Sequence, residues 1–205
     1  MSYRPTEKTE ARKKAQHNLL LSSALALVSE GGFQNLTVAS VAEKADVAIG
    51  TVYKYFESKA ALCIEVFHRN TEKEIHQMLE VTCPESSEST CRQRLLDAIA
   101  RFSDRAFAKH RLAYALIAEP VDSIIEHERL RYRQSFAEIF ELLITEGITN
   151  GEFCRQDVKV TASALVGALA ETLVGSIGSH TPESLGLDQA KLVKNLQDFC
   201  LRAVV

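Results

Sequence analysis

Residues 49–59, IGTVYKYFESK, gather two phenols, two aliphatic hydroxyls and two ammonium groups in one short stretch. Thr51, Tyr53 and Tyr55 offer O–H donors to phosphate oxygens, and Lys54 and Lys59 offer positive charge. Ile49, Thr51 and the tyrosines can also touch thymine methyls and base edges in a major groove. This chemistry is polyanion binding rather than bond making. Nothing else in the chain supplies a nucleophile–base pair. The six histidines are dispersed, and the five cysteines show no metal-ligand spacing. The expectation is a protein that is not an enzyme and uses no metal or cofactor.

Such groups need a frame that turns them outward together. Thr37 is placed to cap a helix beginning at Val38, because its hydroxyl can accept an orphan backbone N–H. Val38, Val41, Ala42 and Ala45 recur at spacings of three and four and make one apolar face. Ser40 stands where a capping box would carry Glu or Gln, so a simple cap is expected. Asp46 sits where the chain must turn, and Asp tolerates left-handed backbone better than most residues. Val47 is then a lone apolar pin. A second short helix over residues 49–55 directs Val52 and Phe56 inward and leaves the polar groups outside. Ser58 can cap a third helix with Lys59 in its first turn. A helix N-terminus disfavours lysine, so an external anion gives a reason for it there. Two short helices around a tight turn form a helix-turn-helix.

Residues 19–62 resemble the DNA-binding domain of the TetR family of transcriptional regulators. The matching elements are an apolar first helix (Leu20, Ala24, Leu27, Val28), then Gly32-Phe33, Thr37-Val38 and Ala42. They end in Gly50-Thr51, Tyr53, Tyr55-Phe56, Ser58-Lys59 and Leu62. The resemblance implies phosphate contacts from Thr51, Tyr53 and Lys59, and Thr37 is counted with the DNA-binding residues. It implies approach to bases or sugar edges by Ile49, Gly50, Lys54 and Tyr55. Ala39 falls where many members carry a base-reading Arg, so that contact is missing. Asp46, Ala48 and Ile49 replace a common Gly, Ser and Lys, which bears on the operator sequence more than on the fold. Fewer polar base contacts mean more reliance on methyl groups and DNA shape.

At 205 residues the chain can hold a substantial core in one or two domains. The net charge of −3 would argue against DNA binding if it were uniform. It is not: residues 1–60 hold eight basic and six acidic residues, and residues 61–205 hold sixteen and twenty-one. A head of +2 with Arg12, Lys13 and Lys14 near its start precedes a body of −5. The first sixteen residues carry acids and no apolar core, unlike a secretion or transit peptide. No unbroken run of 18 apolar residues occurs, so no membrane span and a cytoplasmic location are expected. Cys83 and Cys91 flank a polar loop, CPESSESTC, that could respond to oxidants, although scattered cysteines in such a chain are usually reduced and structural.

Beyond the helix-turn-helix, helical periodicity covers residues 58–81, 91–109, 111–118, 123–149, 158–176 and 188–204. Glu119-Pro120 and Asn150-Gly151 act as breaks, and residues 82–90 and 179–186 read as loops. No segment alternates like a strand, so the fold class is all-α. A helix-turn-helix DNA-binding domain over residues 1–60 is followed by a ligand-binding and dimerisation domain over residues 61–205. The helix TASALVGALAETLVGSI is apolar nearly all round and must be covered on every side. Pairing it and the last helix with a second subunit would form a homodimer interface through Leu165, Ala168, Leu169, Leu173, Leu196 and Phe199. Aromatic stripes elsewhere are ordinary core by periodicity. The resemblance adds that these helices surround an effector cavity, for which Phe102, Phe136 and Phe140 are the apolar candidates. Arg105, Tyr132, Glu171 and Thr172 are the polar ones. Arg129, Arg131 and Arg133 could meet an anionic ligand or pair with Glu126 and Glu128. The partners expected are double-stranded operator DNA, a small-molecule effector and a second copy of the chain, with no membrane. The function expected is a repressor released from a palindromic operator by a largely apolar effector. An activator, or a nonspecific DNA binder without effector, is the alternative.

Overall fold

The computed structural model describes residues 7–84, 88–178 and 188–205, and the loop read at residues 179–186 lies outside them. Nine α-helices and no strand occur among the described residues. They are α1 (Glu7–Gly31), α2 (Val38–Lys44), α3 (Ile49–Tyr53), α4 (Lys59–Thr82) and α5 (Cys91–Ala108). After these come α6 (His110–Ile117), α7 (Ser123–Thr149), α8 (Val158–Ile177) and α9 (Gln189–Arg202). A 3-10 turn, Phe33–Asn35, links α1 to α2.

Side chains start most of these helices. Ser58, Thr90, Asp122, Asp157 and Asp188 each accept a backbone N–H from the following turn. The cap at Thr37 is not the simple one expected. Thr37 Oγ1 accepts the Ser40 N–H and Ser40 Oγ accepts the Thr37 N–H, each at 3.0 Å. The shorter serine completes a reciprocal capping box without Glu or Gln. Asp46 adopts φ 52°, so it takes the left-handed turn position where glycine is commonest. Val47 is half-buried against the head.

Two hydrophobic clusters organise the chain. The first joins α1, α2 and α3 to the N-terminal half of α4 through Leu20, Leu36, Val41, Val52, Leu62 and Phe67. Leu112, Ala115 and Leu116 of α6 also belong to it. The second lies among α4, α5, α7, α8 and α9, around Leu95, Ile99, Phe140, Leu143 and Leu165. Helix α4 therefore runs from the head into the body as one continuous rod.

Helix α8 bears on two readings. By length and composition alone it could cross a membrane, although no run of 18 apolar residues exists, because its glycines, serines and threonines are weakly polar. It is also sided. Ala162, Leu165, Leu169, Leu173 and Ile177 face the core at spacings of three and four. Val160, Ala164, Gly167, Glu171 and Gly175 are exposed on the other side.

Candidate DNA interface and effector cavity

Helix α3 has only five residues, and its one buried side chain, Val52, anchors it to the head. Ile49 and Tyr53 are 51% and 54% exposed on its outer side. Gly50, Lys54 and Lys59 are exposed beside them, and Thr51 and Tyr55 are half-buried. A Cβ on Gly50 would meet nothing within 4 Å, so the head's own packing does not require glycine there. Behind this surface, His17 stacks on Phe56 at 5.1 Å and contacts Glu65 at 3.0 Å, tying α1 to α4. Thr37 is exposed at the start of α2, with its hydroxyl engaged by Ser40. Ala39 is exposed on the same helix.

In the body, α4, α5, α6 and α7 line a partly open cavity of about 140 Å³. Phe102, Ala106, Leu112, Leu116 and Ile117 form its apolar wall, with Tyr132 at the back. Lys73, Glu74, Arg105 and Lys109 form its polar side. Arg105 donates Nε–H to Glu74 at 2.9 Å and a second bond through Nη2, so α5 is strapped to α4 at this edge. A smaller void of about 30 Å³ continues past Phe102 and Tyr132 toward Phe136, Arg133, Val166 and Leu169. Tyr132 packs edge-on to Phe136 at 4.7 Å and to Phe67 at 6.1 Å. Burial pushes the Tyr132 phenol well above its usual pKa, and Glu74 adds to this against the opposing pull of Arg105. The group is thus a neutral O–H inside an apolar chamber.

Of the effector candidates, Phe102, Arg105, Tyr132 and Phe136 line these spaces. Phe140 is wholly enclosed in the second cluster and does not line them. Glu171 is exposed, about 200° round α8 from the core leucines at positions 169 and 173. Thr172 is half-buried and lines neither space. Among the interface candidates, Leu165, Leu169, Leu173 and Leu196 are at most 4% exposed and pack inside the protomer. Large side chains take the core face and small ones the outer face, so those four leucines are corrected to core positions. Ala168 is half-buried, and Phe199 is 54% exposed.

Sequence reasoning missed Lys73, Glu74, Lys109 and Leu112, whose shared feature is the gap between helices rather than a local pattern. It also missed the junction at Glu119, read only as a break. Arg129 and Arg133 border the smaller void and donate to carbonyls at the end of α6. Arg129 is buried and pairs with Glu126, and Arg131 pairs with Glu128. The thiol of Cys91 is enclosed, and burial pushes its pKa up to about 11 despite the neighbouring Arg94. Arg94 donates to its sulfur, at 3.0 Å. That arrangement argues against a reactive partner for the exposed Cys83. No cluster of three or more metal-ligating side chains occurs among the described residues.

A recognition helix projecting exposed groups, set on a larger helical body with an internal cavity, defines a helix-turn-helix DNA-binding regulator. Residues 20–66 match the family model described as bacterial regulatory proteins, tetR family. The chain is 26% identical over 168 residues to the fatty acid metabolism regulator protein of Bacillus subtilis, covering 79% of this chain and 84% of that protein. It is 41% identical over 61 residues to the transcriptional repressor KstR of Rhodococcus jostii, covering 30% and 29% of the two chains. The fold matches a FadR regulator from Bacillus subtilis solved with stearoyl-CoA, with a TM-score of 0.76 and 21% identity. That match covers 92% of this chain and all of the other. A regulator from Saccharomonospora viridis solved with choline gives a TM-score of 0.77 at 16% identity, covering 94% and 98% of the two chains. Residues 20–66 are thus similar to the DNA-binding domain of tetR-family regulators, and the whole chain shares the fold of such regulators.

Proposed function

We propose that this regulator is a homodimeric repressor that leaves a palindromic operator when an anionic amphiphile with a long apolar tail enters the body. The observation that carries the effector class is the cavity itself: an apolar wall of Phe102, Leu112, Leu116 and Ile117 beside Lys73 and Lys109, with Arg105 paired to Glu74 at its edge. An alkyl chain suits the wall, and a phosphate or carboxylate head group suits the cations. A fatty acyl-CoA has both, and a relative of the same fold was solved with stearoyl-CoA. The cavity of about 140 Å³ is smaller than the ~300 Å³ at the low end for small-molecule pockets. Filling it with a long chain must spread α4 to α7. The effector then favours a second geometry of the body, and only that preference can shift DNA binding.

The DNA contacts in this reading are Ile49, Gly50, Thr51, Tyr53, Lys54, Tyr55 and Lys59, with Thr37 at the start of α2. The head spans residues 1–60 and the body residues 61–205. The outer stripe of α8, from Val160 to Gly175, packs with Phe199 of α9 against the same surfaces of a second copy. A two-fold dimer then sets two α3 helices into successive major grooves. The molecule acts in the cytoplasm, where operator and acyl-CoA are both present.

The test begins with fragmented genomic DNA from the source organism, from which the purified protein selects what it binds at physiological salt. Recovered fragments sharing an inverted repeat support the reading, and uniform recovery of all fragments refutes a specific regulator. The selected duplex is then titrated by fluorescence anisotropy with and without stearoyl-CoA. Selective DNA binding that saturating stearoyl-CoA leaves unchanged refutes the effector class.

A further inference from the structure

Helix α6 serves two structures at once. Leu112 and Leu116 line the cavity and also belong to the hydrophobic cluster of the DNA head. Its C-terminal end is held from α7. Arg129, 4% exposed, donates to the carbonyls of Leu116 at 3.0 Å, Ala115 at 3.2 Å and Glu119 at 2.9 Å. Arg133 reaches the Ile117 carbonyl at 3.4 Å. A helix leaves these last carbonyls without partners, and a guanidinium also suits the negative end of its dipole.

From this fixed end Glu119, itself 5% exposed, turns its carboxylate into the head. One oxygen accepts the Phe33 N–H at 2.9 Å and the other accepts the Gln34 N–H at 3.3 Å. Gly32 makes room for it: a Cβ there would lie 2.6 Å from both carboxylate oxygens, and φ is +76°. The 3-10 turn so held leads directly into Thr37, the cap of α2. A single buried side chain therefore joins the end of a cavity-lining helix to the backbone that orients the helix-turn-helix.

We propose that Glu119 is the positioning residue that transmits the state of the cavity to the DNA head. This rests on the reading of the cavity as the effector site. An occupant that displaces Leu112 and Leu116 moves the end of α6 with its arginine anchors. The carboxylate moves with it, and the amides of Phe33 and Gln34 follow, because release would leave a buried charge without its donors. The turn tilts α2, and α3 leaves the geometry that fits the groove. Apolar packing alone between α6 and the head could slide, whereas two hydrogen bonds to a carboxylate fix position.

The test is a double-mutant cycle that needs no ligand. Ala113 lines the cavity on α6, so A113F occupies part of the space from within. Operator affinity is measured for the wild type, A113F, E119A and the double variant, with thermal unfolding as the check on folding. A113F is expected to weaken operator binding about tenfold in the wild-type background and less than about twofold in the E119A background. E119Q, which keeps one acceptor oxygen, should fall between. Equal factors in both backgrounds, or no effect of A113F in the wild type, overturn the proposal; a merely structural glutamate would lower every affinity and leave the factor unchanged. Hydrogen exchange adds a reading independent of DNA, with E119A accelerating the Phe33 and Gln34 amides while α8 is unaffected. Unchanged exchange there overturns the clasp. If stearoyl-CoA does not bind the wild type while the cycle still shows coupling, the effector class fails and the clasp stands.

Discussion

Replacing Gly32 by Ala tests where the Glu119 carboxylate lies. Two costs combine at this position. Gly32 has φ 76° and ψ −176°, a region open essentially to glycine alone, so an L-residue held there costs roughly 1–3 kcal/mol. The added methyl would also sit 2.6 Å from both carboxylate oxygens, so the carboxylate must leave. Its departure forfeits the bonds to Phe33 and Gln34, one of normal length and one long. Hydrogen bonds to a charged group contribute about 1.5–3 kcal/mol each, with the long one at or below the low end. Gly32→Ala alone should therefore cost about 3–6 kcal/mol. In a Glu119→Ala background the second cost is already absent, and the same change should cost about 1–3 kcal/mol. Urea unfolding of the four proteins at one protein concentration measures both steps, and the concentration is held fixed because any self-association would contribute to apparent stability. A coupling of about 2–3 kcal/mol is expected between the two sites. If Gly32→Ala costs the same in both backgrounds, the carboxylate does not occupy the space described, and the account of the glycine reduces to its backbone angle.

Three further outcomes follow from the packing. Tyr53→Phe and Lys59→Ala alter exposed groups, so unfolding should shift by less than about 0.5 kcal/mol while operator affinity falls. Lys59→Ala should also flatten the salt dependence by about one phosphate contact, and unchanged affinity in both proteins would remove this docking mode. Phe199→Glu should yield folded monomers by sedimentation, whereas Leu169→Ala should destabilise the protomer itself by about 2–5 kcal/mol. A Phe199→Glu protein that remains dimeric would place the interface elsewhere. Among the thiols, Cys83 and Cys154 are exposed, while burial raises Cys63, Cys91 and Cys200 to about 11. At pH 8 the buried three should be thiolate only about one part in a thousand, so a disulfide reagent should titrate two groups quickly. Three fast thiols would contradict the enclosure of Cys91.

The head was readable because its signals are local. Capping hydroxyls, apolar spacings of three and four, and a left-handed Asp46 each act within a few residues. The serine that completes the capping box was misjudged only because a short side chain reaches as well as a glutamate when the turn is tight. The body was legible as helices but not as surfaces. Helix α8 looks apolar on every side in sequence, and its siding emerges only when the leucines meet α7 while Ala164, Gly167 and Gly175 are left outside. The cavity is a mismatch among four helices, so Lys73 and Lys109 gave no signal. Glu119 was invisible for the same reason: the amide it holds belongs to Phe33, 86 positions earlier.

The sharing of α6 bears on how freely the pieces of this chain can be exchanged. A fragment ending at residue 60 would keep the recognition surface but lose Leu62, Val66 and Phe67 from beneath it. It would also lose Leu112, Ala115 and Leu116, which arrive from 50 residues downstream. Such a fragment exposes a raw apolar floor and should not fold alone. A chimera that grafts this head onto another regulator's body must therefore carry the first half of α4, a matching α6 and the acid that follows it. The unit of recombination is the head with its floor, and it is discontinuous in sequence.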